Sequence, residues 1–343
     1  MDLEPAPAPP RRWLDALPDA AKRAIRPAVW AYIQAGAGEG LTAAEAGAAW
    51  REVRFRTRVL RGGGGADLRT TMLGSQVASP IGIAPTAMQR AVHPAGERAM
   101  AEGVGAGTLH VVSSNCGTRF DELGAAGPWW LQAYLPPQRD LFRPVVDAAV
   151  AAGAQAVVLT VDTPYPGTKY GVDEEDWSSI DLGWWRTNYP EGDVGDWKTD
   201  LTLDDVGWLR EAAGVPVVVK GVLRGDDALR CLDAGADAIY VSNHGGRQLD
   251  RSISTATALR EVVASVAGRA EVYVDGGIRS GADVLAALAL GARGVLVGRP
   301  AVWALGLEGA EGVARLLADL GSELTECLEL AGCSSPAEAA DLP

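Results

Sequence analysis

The chain has few of the residues that would mark it as a disulfide-rich, metal-binding, membrane or nucleic-acid-binding protein. Four of its 343 residues are cysteines, and their scattered positions favour reduced thiols over a disulfide framework or a zinc site. No apolar run approaches the roughly 20 residues that span a bilayer. The formal net charge of -13 gives no bulk attraction for nucleic acid or an anionic membrane. We therefore expect a cytoplasmic protein without a metal, nucleic-acid or membrane partner, whose bound anions are held by locally placed basic residues.

The first fifty residues predict helical structure after a short extended arm. The segment MDLEPAPAPPRRW is rich in proline and has no apolar signal core, so we expect residues 1–11 to form a mobile arm. From about Arg12 to Trp50 the pattern is helical, with Gly36 as a stop signal. The side chains on one face there are Ile25, Val29, Tyr32 and Ile33. The next segment, RGGGGADLRTTMLGSQVASP, predicts a glycine-rich turn and short polar strands.

Short apolar runs alternate with alanine-rich amphipathic stretches through the rest of the chain. Segments such as AAGAQAVVLT and LGARGVLVG combine a helix end, a small-residue turn and a buried strand, which predicts parallel strands with right-handed crossovers. Eight repeats favour a closed (β/α)8 barrel, the TIM barrel of the α/β class, as one domain over residues 1–343. The predicted strands are Ile81–Ala84, Leu109–Val112, Trp129–Leu131, Ala156–Thr160, Val217–Val219, Ala238–Val241, Val272–Val274 and Val295–Val297.

The connection after the fourth predicted strand is unusually long. Its segment over about residues 171–202 is polar, acidic and aromatic, with little periodicity. A long loop at the active end of a barrel is typically a lid, and we favour that interpretation. Tryptophan is also common at interfaces, so a subunit contact stays open as a second interpretation. The tryptophans in this segment are Trp177, Trp184, Trp185 and Trp197.

Two polar clusters late in the chain predict a phosphate site. DGGIRSG and GRP follow the seventh and eighth strands, and the carboxyl ends of these strands commonly hold a phosphate in barrels. Glycines let backbone N–H groups approach an anion, and Arg279 and Arg299 supply positive charge. Asp275 would instead accept hydrogen bonds from sugar or ribityl hydroxyls. Either cluster alone is also typical of an ordinary strand-to-helix turn, but their joint occurrence favours phosphate binding.

Two further residues at strand ends carry candidate chemistry. Lys220 ends the apolar strand VPVVVKG, where a buried ammonium needs an anionic partner such as a reduced flavin. The rival interpretation is a Schiff-base lysine in a non-redox lyase. His244 lies in SNHGGRQLD. An unperturbed imidazole titrates at about pH 6.5, so a histidine suits proton abstraction at neutral pH. Asp162 in TVDTP would orient it. His93 and His110 are predicted to have local or structural roles.

The ordered motifs APTAMQRAVHPAGE, LTVDTP, VKGV, SNHGGRQLD, DGGIRSG and LGARGVLVGRP resemble the FMN-dependent 2-hydroxy acid oxidase and dehydrogenase family. That family includes glycolate oxidase, lactate oxidase and mandelate dehydrogenase. The resemblance extends from the Tyr32 helix to GCSSPAEAADLP. It implies an FMN cofactor and oxidation of the Cα–OH of an L-2-hydroxy acid to a 2-oxo acid. It also implies a homo-oligomer, a tetramer or octamer, and the tryptophans favour an aryl or otherwise bulky substrate.

The resemblance also implies roles for individual residues. His244 is the implied base, Asp162 its partner, and Arg247 the group that binds the substrate carboxylate. Tyr32 and Tyr134 are implied substrate contacts. Lys220 is implied to lie beside the flavin ring. The other implied flavin contacts are Pro85, Thr86, Ala87, Ser113, Gln132, Thr160 and Ser242. The implied ribityl and phosphate site consists of Asp275, Gly277, Arg279, Gly298 and Arg299.

Two positions depart from the family pattern. Lys169 stands where the family usually has a second carboxylate-binding arginine, and lysine keeps the charge but not the planar grip. Arg186 in the predicted lid is one hypothetical substitute. Asn115 stands where family members vary with substrate size, and its amide would hydrogen-bond the substrate tail. These departures keep open an alternative substrate, such as an amine, an amino acid or a carrier-bound intermediate.

Overall fold

The computed structural model describes residues 12–62, 64–170, 172, 180, 183–190 and 199–342. The predicted mobile arm lies outside these residues, as does most of the predicted lid, including Trp177 and Trp197. Among the described residues, none of the helices has the length and apolar character needed to cross a membrane.

Eight parallel strands close into a barrel, so the predicted fold is confirmed. Each is short and almost wholly buried, as expected for strands covered on both faces. Neighbouring strands pair in the order β10-β3-β4-β5-β6-β7-β8-β9. The strands are β3 (Ile81–Ile83), β4 (His110–Ser113), β5 (Trp129–Ala133), β6 (Val157–Thr160), β7 (Val217–Val222), β8 (Ala238–Val241), β9 (Glu271–Val274) and β10 (Gly294–Val297).

The helices surround this barrel, and the first three of them precede its first strand in the sequence. The long helical segment α11 (Arg299–Leu330) is broken at Gly309, whose φ of 61° is accessible to glycine without a side-chain clash. Short 3-10 turns cover Phe120–Glu122, Arg139–Phe142, His244–Gly246 and Pro336–Asp341. The helices are α1 (Trp13–Ala24), α2 (Pro27–Gln34), α3 (Leu41–Arg51), α4 (Gln89–Val92), α5 (Gly96–Val104), α6 (Arg143–Ala151), α7 (Leu203–Ala213), α8 (Gly225–Asp233), α9 (Thr255–Val266), α10 (Gly281–Ala289) and α11 (Arg299–Leu330).

The helical pattern predicted from about Arg12 to Trp50 forms three helices, α1, α2 and α3. The stop predicted at Gly36 agrees with the end of α2 at Gln34, whereas the break at Ile25 was not predicted. The chain leaves helical geometry at Ile25, and Pro27 starts α2 at a position where its missing N–H is harmless. A second break follows α2, where Gly38 and Gly40 have positive φ angles of 56° and 78°. These breaks let α2 and α3 fold against the barrel mouth, so the backbone carbonyls at the end of α2 reach the site described below.

The amino end of the barrel is closed by a hairpin of β1 (Thr70–Met72) and β2 (Ser75–Val77), which confirms the predicted short strands. Met72 is completely buried among the apolar residues that fill the barrel interior. The backbone N–H of Leu73 donates to the Tyr273 hydroxyl at 3.0 Å and to the Glu271 carboxylate at 2.8 Å. This end is therefore packed shut, and the opposite, carboxyl end holds the cavity.

Candidate active site

A cavity of about 270 Å³ opens at the carboxyl ends of the barrel strands. Nearly all the predicted site residues line it, although they come from distant parts of the sequence. Asp162 and Ser242 are the exceptions, and both lie just behind lining residues. The predicted residues that line the cavity are Tyr32, Pro85, Thr86, Ala87, Ser113, Asn115, Gln132, Tyr134, Thr160, Lys169, Lys220, His244, Arg247, Asp275, Gly277, Arg279, Gly298 and Arg299.

The turn after β8 holds His244 in an unusual backbone conformation. His244 and the two glycines that follow all have positive φ, at 57°, 64° and 73°. Gly246 is required there, because a Cβ would lie 2.6 Å from the backbone nitrogen of Ala43. The Asn243 side chain accepts a hydrogen bond from the Gly246 N–H, and the His244 N–H donates to Ser242 Oγ at 3.1 Å. The turn thus aims the imidazole at the cavity rather than along the strand.

His244 forms a dyad with Asp162. The imidazole Nδ1 lies 2.9 Å from Asp162 Oδ1, and Thr163 Oγ1 donates to the same carboxylate oxygen at 3.2 Å. Burial alone would raise the pKa of Asp162, but the positive charges of His244 and Lys220 outweigh it and lower that pKa below its ordinary value. An ionised Asp162 keeps the proton on Nδ1, so Nε2 is left as the proton acceptor.

Tyr134 stands next to that acceptor nitrogen. Its hydroxyl oxygen lies 3.3 Å from His244 Nε2. Burial and the negative charge of Asp162 raise the pKa of Tyr134 above its ordinary value, so the phenol keeps its proton. The space beside His244 therefore contains one proton acceptor and one hydrogen-bond donor.

A glycine allows the dyad and Lys220 to approach each other. Gly221 has a φ of 108°, and a Cβ there would lie 2.6 Å from the Cβ of Asp162. The Lys220 ammonium donates to Ser242 Oγ at 2.9 Å and lies 3.7 Å from Asp275 Oδ2. Ser242 in turn donates to Asp275 Oδ1 at 2.6 Å. A buried cation is thus held by a hydroxyl and a carboxylate at the cavity floor, as its burial requires.

A row of polar side chains crosses three neighbouring strands at the same level. Ser113 Oγ donates to Gln132 Oε1, and Gln132 Nε2 donates to Thr160 Oγ1, both at 3.0 Å. Ser113 pairs with Gln132 in the strand register, and Thr160 pairs with Lys220. Parallel register therefore turns residues from four separate motifs into one hydrogen-bonding edge.

The other end of the cavity is strongly positive. Burial lowers the pKa of Arg279 to about 10. Burial and the charges of Arg247 and Arg279 lower the pKa of Arg299 to about 9. Arg299 donates to the carbonyls of Ile33 and Gly245 at 2.9 and 2.8 Å. Two partly buried guanidinium groups beside glycine-rich turns are features that favour phosphate binding.

The predicted carboxylate-binding residues come together between these two ends. Arg247 Nη1 donates to the carbonyls of Tyr32 and Ala35 at 2.7 and 2.9 Å, and its guanidinium lies 4.6 Å from the centre of the Tyr32 ring. Lys169 Nζ donates to the Gly167 carbonyl at 2.7 Å. Burial, and then the charges of Arg247 and Arg299, lower the pKa of Lys169 to about 8.

Among the described residues that line the cavity, Lys169 is present and Arg186 is not. Its Nε donates to Asn115 Oδ1 at 3.1 Å instead. The hypothesis that Arg186 replaces a second carboxylate-binding arginine therefore has no support in its position. Trp185 of the predicted lid does line the cavity.

Thirteen residues that line the cavity were not among the predicted site residues, and Met88, Thr163, Pro166 and Gln248 are four of them. Gln248 Nε2 donates to Thr163 Oγ1 at 2.8 Å, and its Oε1 accepts from the Gly167 N–H at 2.9 Å. This side chain links the loop after β6 to the loop after β8. Gln248 directly follows Arg247, and Thr163 directly follows Asp162. This adjacency to a predicted site residue is the sequence signal that could have identified both as site residues.

The other histidines have the predicted structural roles. His110 is buried in β4, and burial lowers its pKa to about 4. The Ala95 N–H donates to His93 Nδ1 at 3.3 Å, at the entry to α5. The four cysteines, all within the described part of the chain, form no disulfide with one another. Among the described residues, no three His, Cys, Asp or Glu side chains converge as metal ligands would.

Comparisons with known proteins agree with this site. A family model described as FMN-dependent dehydrogenase matches residues 21–341. The 2-hydroxyacid oxidase 2 of Rattus norvegicus is 37% identical over 331 residues, which cover 93% of this chain and 94% of that protein. Glycolate oxidase of Spinacia oleracea is 38% identical over 336 residues, covering 92% and 90%. A structure of mandelate oxidase with (S)-2-phenylpropionate superposes with a TM-score of 0.90 at 36% identity, covering 96% and 97% of the two chains.

Proposed function

The chain belongs to the family of FMN-dependent dehydrogenases, and on that premise we propose that it oxidises the Cα–OH of an L-2-hydroxy acid to the 2-oxo acid. The observation that carries this proposal is the His244–Asp162 dyad, 2.9 Å apart, at the wall of a cavity that also contains Arg247. A base and a carboxylate-binding cation are what this oxidation needs. The relatives named 2-hydroxyacid oxidase and glycolate oxidase support the same substrate class.

The residues of the cavity fit FMN. The partly buried cations Arg279 and Arg299 favour a bound anion, since burial lowers the pKa of both guanidinium groups. The polar row that begins at Ser113 and Gln132 supplies donors and acceptors for the edge of a flat heterocycle. Lys220 supplies a positive charge at the cavity floor. When bound, FMN supplies a ring system that accepts two electrons.

Arg247 is proposed to hold the substrate carboxylate. Three backbone carbonyls already fix its Nη1, and the Tyr32 ring supports its plane, so little side-chain entropy is lost when the carboxylate binds. Lys169 adds a second positive charge in the same cavity. Together they would place the hydroxyl-bearing carbon against His244.

His244 is proposed to take the proton through Nε2. Asp162 holds Nδ1–H and stabilises the imidazolium that forms, so the two residues act as a unit. Tyr134 keeps its proton and lies beside Nε2, where it would orient the substrate oxygen. Lys220, fixed by Ser242 and Asp275, would stabilise negative charge that develops at the cavity floor.

Two alternative functions are weaker. Oxidation of an amine, amino acid or carrier-bound substrate rested on Lys169 and Asn115, and the named relatives act on hydroxy acids instead. A non-redox lyase with Lys220 as Schiff base conflicts with membership in a dehydrogenase family, and Lys220 is tied to Ser242 rather than placed at the open rim.

The test is the visible spectrum of the purified protein without oxygen, before and after addition of single substrates. The panel contains small and aryl L-2-hydroxy acids, their D-enantiomers, amino acids and amines. We expect a flavin spectrum that an L-2-hydroxy acid bleaches, with one 2-oxo acid formed per flavin. Bleaching by an amino acid or amine alone would overturn the substrate class.

We further propose that the protein is a cytoplasmic homo-oligomer, a tetramer or octamer, with residues 171–202 acting as a lid. The resemblance to the family and the position of Trp185 at the cavity support this proposal. Light scattering coupled to size-exclusion chromatography measures the mass of the assembly directly. A monomer at micromolar concentration would contradict it.

A further inference from the structure

Part of the long loop after β6 is attached to the loop after β4. Within residues 183–190, the Tyr189 hydroxyl donates to Ser114 Oγ at 3.2 Å, and Asn188 Nδ2 donates to the Thr118 carbonyl at 2.8 Å. These bonds join segments that are far apart in sequence and fix the loop at the rim of the cavity. Side chains from this segment are therefore part of the wall that faces a substrate.

Arg186 is the charged residue of this segment, and its side chain is held in one direction. Its guanidinium lies 5.2 Å from the centre of the Tyr189 ring, and its Nε donates to Asn115 Oδ1 at 3.1 Å. Its φ of 58° is a left-handed conformation that costs a side chain other than glycine on the order of 1 kcal/mol. The surrounding contacts hold the residue in that conformation with its side chain toward the cavity rim.

The bond from Arg186 settles which way the Asn115 amide faces. An arginine N–H can only donate, so the atom of Asn115 that meets it is the carbonyl oxygen. The amide nitrogen then lies on the opposite side of the group. Asn115 is 3% exposed and lines the cavity, and Nδ2 has no hydrogen-bond partner among the residues that the structure describes. A donor is therefore presented to whatever occupies this part of the cavity.

We propose that Arg186 and Asn115 select 2-hydroxy acids whose side chain carries a hydrogen-bond acceptor. This rests on the proposed function and names the class of substrate within it. Asn115 contacts the acceptor, and Arg186 is a positioning residue that keeps the donor face of the amide inward. Trp185 and Met88 line the same cavity, so the rest of the side chain packs on apolar surface. A purely apolar side chain would bury Nδ2 without a partner, which is the costly arrangement.

A matched pair of substrates tests this selection. The pair is 2-hydroxy-4-oxopentanoate and 2-hydroxy-4-methylpentanoate, which share a skeleton and differ by a carbonyl oxygen in place of a methyl group. The measurement is kcat/KM for each from anaerobic flavin reduction by the holoenzyme. One neutral hydrogen bond is worth about 1 kcal/mol, so we expect the wild type to prefer the oxo substrate by about 5- to 10-fold. For a slow member, its inhibition constant against a faster 2-hydroxy acid is measured, and the ratio of inhibition constants replaces the ratio of kcat/KM values.

Three variants separate the roles of the two residues. Asn115→Ala is expected to abolish the preference. Asn115→Asp keeps an acceptor for Arg186 but presents an oxygen to the cavity, so it is expected to reverse the preference. Arg186→Met frees the amide to rotate, and we expect the preference to fall severalfold through KM with kcat changed less than about twofold. Arg119→Met, at an exposed arginine in the loop after β4, is the matched control and leaves the ratio unchanged.

The outcomes distinguish failure of this inference from failure of the proposed function. Equal kcat/KM values for the two substrates in the wild type would overturn the inference while leaving 2-hydroxy acid oxidation intact. So would a preference that survives Asn115→Asp, or an effect of Arg186→Met no larger than that of Arg119→Met. Absence of flavin reduction by every L-2-hydroxy acid would instead overturn the proposed function itself. The flavin spectrum and Tm of each variant verify that the fold is retained.

Discussion

Two adjacent layers of side chains inside the barrel differ in chemistry although the same strands provide both. The lower layer, toward the amino end, is apolar or aromatic and completely buried. Two residues further along six of the eight strands, on the same inward side, the upper layer is polar. Residues of the lower layer are Val111, Trp130, Val158, Val218, Tyr240 and Tyr273. Their counterparts in the upper layer are Ser113, Gln132, Thr160, Lys220, Ser242 and Asp275.

The two layers show that residues which stabilise this fold and residues which line its cavity occupy different levels of the same barrel. The lower layer buries apolar area and closes one end of the barrel with Met72, so its residues stabilise the fold without touching a ligand. The upper layer places polar groups around a cavity, where the charges of Lys220 and Asp275 lie 3.7 Å apart. Changes in one layer should therefore affect one property and spare the other.

The largest effect is expected at the base. His244→Asn keeps a residue that tolerates a positive φ but has no proton acceptor of suitable pKa. We expect flavin reduction to slow by about 10³-fold, near 4 kcal/mol in the barrier, with the Tm and FMN content nearly unchanged. Stopped-flow absorbance and a thermal melt measure the two quantities. A rate within tenfold of wild type would remove His244 from the mechanism.

The matching change at the amino end is Met72→Ala. Met72 is completely buried, and truncation of a buried methionine costs about 2–5 kcal/mol of the free energy of unfolding. Because Met72 lies at the opposite end of the barrel, kcat/KM at a temperature well below the melt is expected to change less than about twofold. Denaturant unfolding and steady-state rates test this pair of outcomes. A large loss of activity in a folded variant would show that the two ends are coupled.

FMN affinity should depend on the arginine charge at the carboxyl end of the barrel and not on the arginine charge at its amino end. Arg299→Met removes a partly buried guanidinium from the proposed phosphate site, and loss of a charged hydrogen bond of about 1.5–3 kcal/mol corresponds to about 10- to 100-fold weaker FMN binding. Riboflavin, which has no phosphate, is expected to lose little affinity. Arg293→Met, at the amino end where Arg293 bonds the Thr71 carbonyl, is the control. Equal losses for FMN and riboflavin would place the phosphate elsewhere.

The smallest expected effect is a pH dependence. Burial and the charges of Arg247 and Arg299 lower the pKa of Lys169 to about 8, so its positive charge is complete below that pH and is lost above it. A 2-hydroxy acid stays ionised throughout. KM should therefore rise by up to about tenfold between pH 7 and 9.5, whereas Lys169→Arg, which stays charged, should give a flatter profile. Parallel profiles in the two proteins would show that Lys169 does not contact the substrate.

The barrel and the upper layer were predictable from sequence because the information is local. Each strand is marked by an apolar run, and most functional residues lie at the carboxyl end of a strand or in the turn that follows it, as Thr160 and Asp275 do. The barrel fold then brings these motifs to one end. Met88, Thr163 and Gln248 were missed, although they lie next to motif residues.

Other features could not be predicted, since they depend on contacts between distant segments. The position of α2 at the barrel mouth is one such feature, because Arg247 and Arg299 bond carbonyls at its carboxyl end. The bond from Arg186 to Asn115 joins residues 71 apart in the sequence. Neither contact leaves a periodic or spacing signal.

The most direct test of the whole account is single-turnover reduction of the flavin by an L-2-hydroxy acid deuterated at Cα. We expect complete bleaching in the absence of oxygen, one 2-oxo acid per flavin, and a rate several times slower than with the undeuterated substrate. Bleaching without a 2-oxo product, or a purified protein that neither contains nor binds FMN, would contradict it.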